Sequence, residues 1–182
     1  MSKDDTRRFH IVTGGPGAGK SSLIAALASE GLATMPEAGR AIIRHQSDID
    51  GPALPWRAPA AFAEQMLGWE MRSHEQAREV AGPVLFDRGV PDIIGYLELT
   101  GLAVPTHVEE AARRFRYNET VFIAPPWEAI YRRDSERRQD FAEAEATFRA
   151  LAAAYTRLGY RLLQLPCLPV DERVRFVRAR LG

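Results

Sequence analysis

Short hydrophobic runs alternate along this chain with longer segments in which hydrophobic residues recur every three or four positions. The short runs predict buried strands, and the longer segments predict helices with one buried face. Strands are predicted at 9–13, 32–35, 83–87, 120–124 and 160–165, and helices at about 20–30, after Gly39, and at 60–80, 92–99, 106–117, 127–138, 141–158 and 170–181. Strands that alternate with helices pair in parallel through right-handed crossovers, so the pattern predicts a three-layer α/β/α domain. Ligands of such a sheet bind at the carboxyl ends of its strands.

The segment from about residue 50 to 60 interrupts this pattern with three prolines, Pro52, Pro55 and Pro59. Proline lacks an amide N–H and fits neither a helix interior nor a central strand, so the segment is predicted to be a loop. Trp56 in this loop could cover a bound acceptor by stacking on it, with Arg57 beside it. A loop with a purely structural role explains the same residues equally well.

The composition is that of an ordinary globular domain, and a single domain over residues 1–182 is expected. Lysine plus arginine and aspartate plus glutamate both number 24, so the net charge is zero. This balance disfavours a protein that binds nucleic acid without regard to sequence. The one cysteine excludes an intramolecular disulfide, and no apolar run approaches the ~20 residues that span a bilayer. The polar start lacks the apolar core of a signal peptide, so a cytoplasmic protein without membrane contact is expected.

Residues 14–21 read Gly-Gly-Pro-Gly-Ala-Gly-Lys-Ser and match the phosphate-loop (Walker A) pattern G-x-x-x-x-G-K-[ST]. Glycines let the backbone N–H groups turn inward, where they and the following helix N-terminus surround phosphates. Lys20 is expected to reach the β- and γ-phosphates of ATP, and Ser21 to bind Mg²⁺. The predicted nucleotide-binding residues of the loop are Gly15, Pro16, Gly17, Ala18, Gly19, Lys20, Ser21 and Ser22.

Asp87 and Arg88 follow the third predicted strand. A carboxylate at this position in a phosphate-loop protein can hold the Mg²⁺ shell, or it can orient or deprotonate the acceptor hydroxyl. Arg88 can grip the acceptor or its phosphate with two parallel hydrogen bonds. A helix-capping aspartate beside a surface arginine is the structural alternative. Motor ATPases follow this aspartate with a glutamate that activates water, and Arg88 at that place argues against their class.

Glu37 and Arg40 follow the second predicted strand. A carboxylate there would lie across the phosphate site from Asp87 and could act as a base or bind the acceptor. Arg40, one helical turn further on, could contribute to the same acceptor site. The structural alternative is an acidic residue favoured by the helix dipole, with a solvated arginine beside it.

Four arginines fall within seven residues of the predicted helix at 127–138, namely Arg132, Arg133, Arg137 and Arg138. Arginines on a lid, at about 126–140, can neutralise the charge that spreads over the transferred phosphoryl group. Arg133 and Arg137 are taken as the candidate catalytic pair, although the pattern does not tell which arginine acts. A solvated helix with salt bridges such as Asp134 to Arg138 is the structural alternative.

Together these motifs resemble the P-loop nucleoside and nucleotide kinase-like proteins, and more closely their AAA-domain-like ATPase/kinase branch, which is related to ribosylnicotinamide kinase-like and deoxynucleoside kinase domains. The segments that carry the resemblance are GGPGAGKSS (14–22), PEAGRAII (36–43), LPW (54–56), LFDRG (85–89), the arginine-rich helix, and LPCLPVDERV (165–174). The resemblance implies a five-stranded parallel sheet in the order 2-3-1-4-5, and adenine held by the loop from about Pro166 to Arg173. It also implies an acceptor site near Glu37, Asp87 and Arg88.

The leading hypothesis is therefore a kinase that moves the γ-phosphoryl group of Mg-ATP to a small molecule, with nucleosides or nucleotides as the favoured acceptors. The alternative is an ATP-binding regulator or slow ATPase that acts through a protein partner. No Asn-Lys-x-Asp motif for guanine is present, which argues against a GTPase. The acceptor-binding patterns of nucleoside monophosphate kinases are not recognisable, so the motifs leave the acceptor open.

Overall fold

The structure is a computed structural model that describes residues 3–130 and 141–181. Its strands are β1 (Phe9–Gly14), β2 (Ala33–Met35), β3 (Val84–Asp87), β4 (Thr120–Ala124) and β5 (Arg161–Gln164). Its α-helices are α1 (Lys3–Arg8), α2 (Lys20–Ser29), α3 (Ala38–Asp48), α4 (Pro59–Arg78), α5 (Val90–Leu99), α6 (Thr106–Arg114), α7 (Phe141–Arg157) and α8 (Val170–Arg178).

The five strands form one sheet in the order β2-β3-β1-β4-β5, and every neighbouring pair is parallel. Phe9 pairs with Val84 at the start of β1 and β3, and Val12 pairs with Asp87 at their carboxyl ends. The fold and strand order expected from the sequence are confirmed. Because all the strands run the same way, their carboxyl ends lie along one edge of the sheet, where the loops that carry the motifs follow them.

Two hydrophobic layers cover the sheet. On one side α2 and α8 pack through Leu23, Leu27, Val174 and Val177. On the other side α4, α5, α6 and α7 pack together, and α5 approaches α7 so closely that a Cβ at Gly95 would lie 2.7 Å from Leu151. All six residues of β1 are buried, because this central strand is covered on both faces.

Several boundaries differ from the predicted ones. Helix α1 is formed by a polar segment that carries no hydrophobic period, and α6 ends at Arg114 instead of residue 117. The arginine-rich helix does not begin at Trp127, because Glu128–Ile130 form one 3₁₀ turn. The rest of that predicted helix, with Arg132, Arg133, Arg137 and Arg138, lies outside the described residues. Within residues 3–130 and 141–181, no helix is long and apolar enough to cross a membrane.

Candidate active site

A cavity of about 1300 Å³ opens at the carboxyl edge of the sheet. The phosphate loop forms one wall, and the segments that follow β2 and β3 form another. Lining residues from these parts include Pro16, Gly17, Ala18, Gly19, Lys20, Ser21, Ser22, Glu37, Arg40, Arg88 and Asp92. The volume exceeds the 300–1,000 Å³ of ordinary small-molecule sites.

The phosphate loop turns sharply where β1 ends. Gly14 has φ 131°, and a Cβ there would lie 2.4 Å from the carbonyl oxygen of Ala124, so only glycine fits. Lys20 begins α2 and is 8% exposed, and its Nζ donates to the carbonyl oxygens of Gly14 and Gly15, both at 2.8 Å. Burial, reinforced by the charge of Arg88, lowers the pKa of Lys20 to about 7. The loop thus holds a desolvated amine that an anionic ligand would stabilise in its charged form.

Asp87 ends β3 next to the phosphate loop and is 8% exposed. Its Oδ1 is buried and has no hydrogen-bond partner among the residues that the structure describes. Burial, together with the nearby charge of Glu37, raises the pKa of Asp87 to about 6. An unpaired buried carboxylate oxygen at this place fits an oxygen-binding cation such as Mg²⁺, which uses one or two carboxylates and substrate phosphates. The described residues contain no cluster of three His, Cys, Asp or Glu side chains that could hold a metal without such phosphates.

Arg88 is clamped between two carboxylates. Its Nε donates to Glu37 Oε1 at 3.1 Å, and its Nη1 donates to Asp92 Oδ1 at 3.2 Å. Burial opposes its charge, but Glu37, Asp92 and Asp87 outweigh that effect and raise the pKa of Arg88 above its ordinary value. Its backbone φ is 78°, a left-handed conformation that costs about 1–3 kcal/mol for a non-glycine residue. The ion pairs with Glu37 and Asp92 stabilise Arg88 in this conformation, in which it lines the cavity.

Glu37 is the N-cap residue of α3 and binds two arginines. Its Oε2 lies 3.3 Å from Nε of Arg40, while its Oε1 accepts from Arg88. Burial opposes ionisation of Glu37, but the charges of Arg88, Lys20 and Arg40 lower the pKa of its carboxyl overall. Glu37 is therefore held ionised at the cavity wall. The structure brings Lys20, Glu37, Asp87 and Arg88 together at the carboxyl ends of β1, β2 and β3.

Asp92 is a buried carboxylate that holds Arg88 and the surrounding elements in place. It accepts hydrogen bonds from the hydroxyls of Thr13 and Tyr155, and from the backbone N–H of Gly89 at 3.0 Å. With the bond from Arg88, one carboxylate links β1, α7 and the start of α5. Arg88 and the Gly89 N–H can only donate, so each carboxylate oxygen of Asp92 accepts at least one hydrogen bond here.

We expect Asp92→Ala to lower the free energy of unfolding by about 3–5 kcal/mol, because it removes one of the two carboxylate partners of a largely buried arginine and the acceptor of two buried hydroxyls. Urea unfolding of the variant and the wild type measures this difference. Glu98→Ala on the same helix is the matched control, since Glu98 pairs with Arg157 at the surface and should contribute less than about 1 kcal/mol. Equal decreases in the free energy of unfolding in the two variants would contradict this structural role of Asp92.

A family model described as an AAA domain matches residues 9–173. The chain belongs to this AAA-domain family. No curated protein sequence matches the chain. The match begins with β1 and ends within α8, so it contains the phosphate loop and both charged segments at the cavity.

Several solved structures share the fold of this AAA-domain protein. A deoxyadenosine kinase from M. mycoides is 14% identical with a TM-score of 0.65, over 95% of this chain and 98% of that one. The NadR protein in complex with NR is 14% identical with a TM-score of 0.67, over 97% of this chain and 52% of that one. The YorR protein from Bacillus subtilis, in complex with phosphorylated GDP, is 12% identical with a TM-score of 0.59, over 94% of both chains. The resemblance to P-loop kinase-like proteins is confirmed, and these identities show the fold alone.

Four of the predicted site residues that the structure describes do not line the cavity, namely Gly15, Trp56, Asp87 and Pro166. Trp56 is 67% exposed, and the neighbouring Pro55 lines the cavity instead. Pro166 is half-buried in the loop after β5, and Leu168 and Pro169 of the same loop line the cavity. The candidate catalytic arginines Arg133 and Arg137 fall outside the described residues.

A second depression of about 920 Å³ lies at the opposite edge of the sheet, around the starts of β4 and β5. Three of its four lining arginines, Arg116, Arg161 and Arg180, donate hydrogen bonds within the chain. Arg116 donates to the carbonyl oxygen of Leu158 at 3.1 Å, and Arg161 donates to Thr120 Oγ1 at 2.6 Å. Because no phosphate loop or buried carboxylate lines it, this depression lacks the chemistry of the first cavity.

Sequence reasoning assigned no role to three buried charged residues around the candidate site. They are Glu70, Asp92 and Arg173, which are 4%, 6% and 2% exposed. All three line the cavity, and each lies on a helix. Only one local signal was available, because an acidic residue three positions after Gly89 is typical of a helix N-terminus.

Proposed function

We propose that this protein is a kinase that transfers the γ-phosphoryl group of Mg-ATP to a hydroxyl group of a small molecule, with nucleosides or nucleotides as the favoured acceptors. The observation that carries the proposal is the shared cavity: the phosphate loop and the charged groups after β2 and β3 open into one space. A protein that only binds ATP needs the first of these walls. A kinase needs both, because the acceptor must lie beside the γ-phosphate.

The nucleotide would occupy the side of the cavity formed by the phosphate loop and the loop after β5. In this proposal the backbone N–H groups of residues 15–22 bind the phosphates, and Lys20 moves from its carbonyl partners to the β- and γ-phosphates. Adenine lies against Leu168 and Pro169, which line that end of the cavity. Ser21 and Asp87 would hold Mg²⁺, which would supply positive charge against the charge that develops on the phosphates.

The transfer itself is an in-line displacement. The acceptor oxygen forms a bond to the γ-phosphorus, the bond from that phosphorus to the β–γ bridging oxygen breaks, and ADP leaves with the electron pair. The hydroxyl proton goes to a carboxylate. Asp87 suits this role as the alternative to that of a metal ligand, since its Oδ1 accepts no hydrogen bond from the described residues, whereas both oxygens of Glu37 are bound by arginines. We assign Glu37 and Arg88 to orientation of the acceptor.

The acceptor side of the cavity combines apolar walls with a buried carboxyl group. Phe62 and Tyr96 pack edge to face at 5.5 Å between ring centres and line this part, together with Met66. Glu70 lines the same wall, and burial beside Asp92 raises its pKa well above the ordinary value. Flat apolar walls with one hydrogen-bonding group suit a nucleobase. The likeness of the fold to a deoxyadenosine kinase and to NadR in complex with NR supports the same class of acceptor.

The proposal is tested by incubating the purified protein with Mg-ATP and a panel of nucleosides, nucleotides and related metabolites, and measuring ADP formation and product mass. We expect fast ADP formation with one class of acceptor and a product heavier by one phosphoryl group. Glu70→Gln, run on the same panel, should change the ranking of acceptors more than the turnover of ATP alone. Slow ADP formation that no acceptor accelerates would favour an ATP-dependent regulator that acts through a protein partner.

A further inference from the structure

Arg173 is a buried arginine that lies on α8 and is 2% exposed. Within residues 3–130 and 141–181, its Nε has no hydrogen-bond partner. None of the acidic side chains that the structure describes forms an ion pair with it. Its guanidinium instead donates to two carbonyl oxygens of the phosphate loop, from Nη2 to Ala18 at 3.2 Å and from Nη1 to Gly19 at 3.3 Å.

The place of this guanidinium is electrostatically unfavourable without an anion. It lies at the positive end of the α2 dipole, where cations are disfavoured. Lys20, which is also buried, begins the same helix. Burial lowers the pKa of Arg173, which shows that its charge is poorly solvated. A bound polyphosphate would supply the negative charge that this end of the helix lacks.

The two hydrogen bonds from Arg173 fix the orientation of the peptide groups between residues 18 and 20, which face the phosphate site. In a planar trans peptide, the N–H points opposite to the C=O of the preceding residue. Holding the carbonyls of Ala18 and Gly19 on the outside of the loop therefore directs the N–H groups of Gly19 and Lys20 to the inside. Gly19 has φ 71°, and a Cβ there would lie 2.7 Å from Nη1 of Arg173, so the contact also requires glycine at this position.

Helix α8 is anchored to α2 at two places. At the far end of α2, Arg178 Nε lies 2.7 Å from Glu30 Oε2, and its Nη2 donates to the Glu30 carbonyl at 2.8 Å. Val174 and Val177 pack between the two anchors in the hydrophobic layer. Arg173 and Arg178 thus both link α8 to α2, but only Arg173 touches the phosphate loop. This difference gives an internal control for the effect of Arg173 on binding.

We propose that Arg173 is a positioning residue that holds the phosphate loop in the conformation that binds a nucleoside polyphosphate, and that its charge adds to the attraction for the phosphates. The inference rests on the proposed nucleotide site. Because Arg173 acts through the loop, it should strengthen binding of any ligand that carries the same phosphate chain, whatever its base. An arginine that served the base alone, for example by stacking beside Trp127, would affect nucleotides and leave the phosphate chain unaffected.

The test compares binding of MgATP, MgGTP and magnesium tripolyphosphate to the full-length wild type, Arg173→Met, Arg173→Lys and Arg178→Met. We expect Arg173→Met to weaken all three ligands by a similar factor of about 10- to 100-fold, as for loss of hydrogen bonds from a charged group. Arg173→Lys should recover part of the affinity, since lysine keeps the charge but not the two-carbonyl geometry. Arg178→Met should stay within about twofold of the wild type.

Three results would overturn the inference alone: unchanged affinity in Arg173→Met, a loss for ATP with none for tripolyphosphate, or an equal loss in Arg178→Met. An equal loss in Arg178→Met would mean that any weakening of the contact between α8 and α2 lowers ligand affinity. If Arg173→Met does not fold, the affinities of Arg173→Lys and Arg178→Met for the three ligands are compared instead, and the same results overturn the inference. A wild type that binds no MgATP would overturn the proposed function as well, which separates the two failures.

Discussion

Lys20→Met is expected to weaken MgATP binding by about 100-fold or more and to abolish phosphoryl transfer. Hydrogen bonds to a charged group contribute about 1.5–3 kcal/mol each, and Lys20 is proposed to bind two phosphates. Two such bonds correspond to about 10²–10⁴ in affinity, and we expect the lower part of this range because Lys20 exchanges its bonds to Gly14 and Gly15 for the new ones. Isothermal titration with MgATP measures the change.

The same substitution separates binding from folding. Lys20 is buried, and its lowered pKa shows that the folded protein disfavours its charge. An apolar side chain of similar length should therefore leave the thermal midpoint of the ligand-free protein equal to or above that of the wild type. Ser29→Ala, at the exposed end of α2, is the control, because it should leave MgATP affinity unchanged. Unchanged MgATP binding by Lys20→Met would exclude the assignment of the phosphate loop.

The fold could be predicted from the sequence because its signals are local. The buried runs of β1, β3 and β4 and the periodic helices need only a few consecutive residues to be recognised. The boundary of α6 and the 3₁₀ turn at Glu128–Ile130 depend on how the chain leaves the sheet, and the hydrophobic period does not encode that. The short helix α1 has no hydrophobic face at all, so pattern reading could not find it.

The candidate site could be predicted only in part, because only some of its residues carry a local sequence signal. Lys20 and Asp87 stand directly after buried strands, so their place at the sheet edge follows from their neighbours in sequence. Asp92 and Arg173 take their roles from distant partners: Thr13 lies 79 positions from Asp92, and Gly19 lies 154 positions from Arg173. Contacts at such separations arise from packing of helices on the sheet, and a single sequence shows no sign of them.

Asp87→Asn is expected to lower turnover by about 100-fold or more while sparing the fold. The amide keeps the size of the carboxyl group, but it cannot accept a proton from the acceptor and binds Mg²⁺ poorly, and loss of acid–base catalysis alone typically lowers the rate by about 10²–10⁴. Burial raises the pKa of Asp87 in the folded protein, so its charge opposes folding at neutral pH. The neutral variant should therefore show a thermal midpoint no lower than that of the wild type.

Nucleotide binding distinguishes the two roles proposed for Asp87. ATP binding without Mg²⁺ should be equal or tighter in Asp87→Asn, because a negative charge near the phosphates is removed. If excess Mg²⁺ restores most of the turnover, the carboxylate serves mainly as a metal ligand; if turnover stays low at saturating Mg²⁺, it serves mainly as the proton acceptor. Asp48→Asn, on the exposed end of α3, controls for the loss of one charge. Full turnover in Asp87→Asn would remove Asp87 from the chemistry and leave Glu37 as the carboxylate to test next.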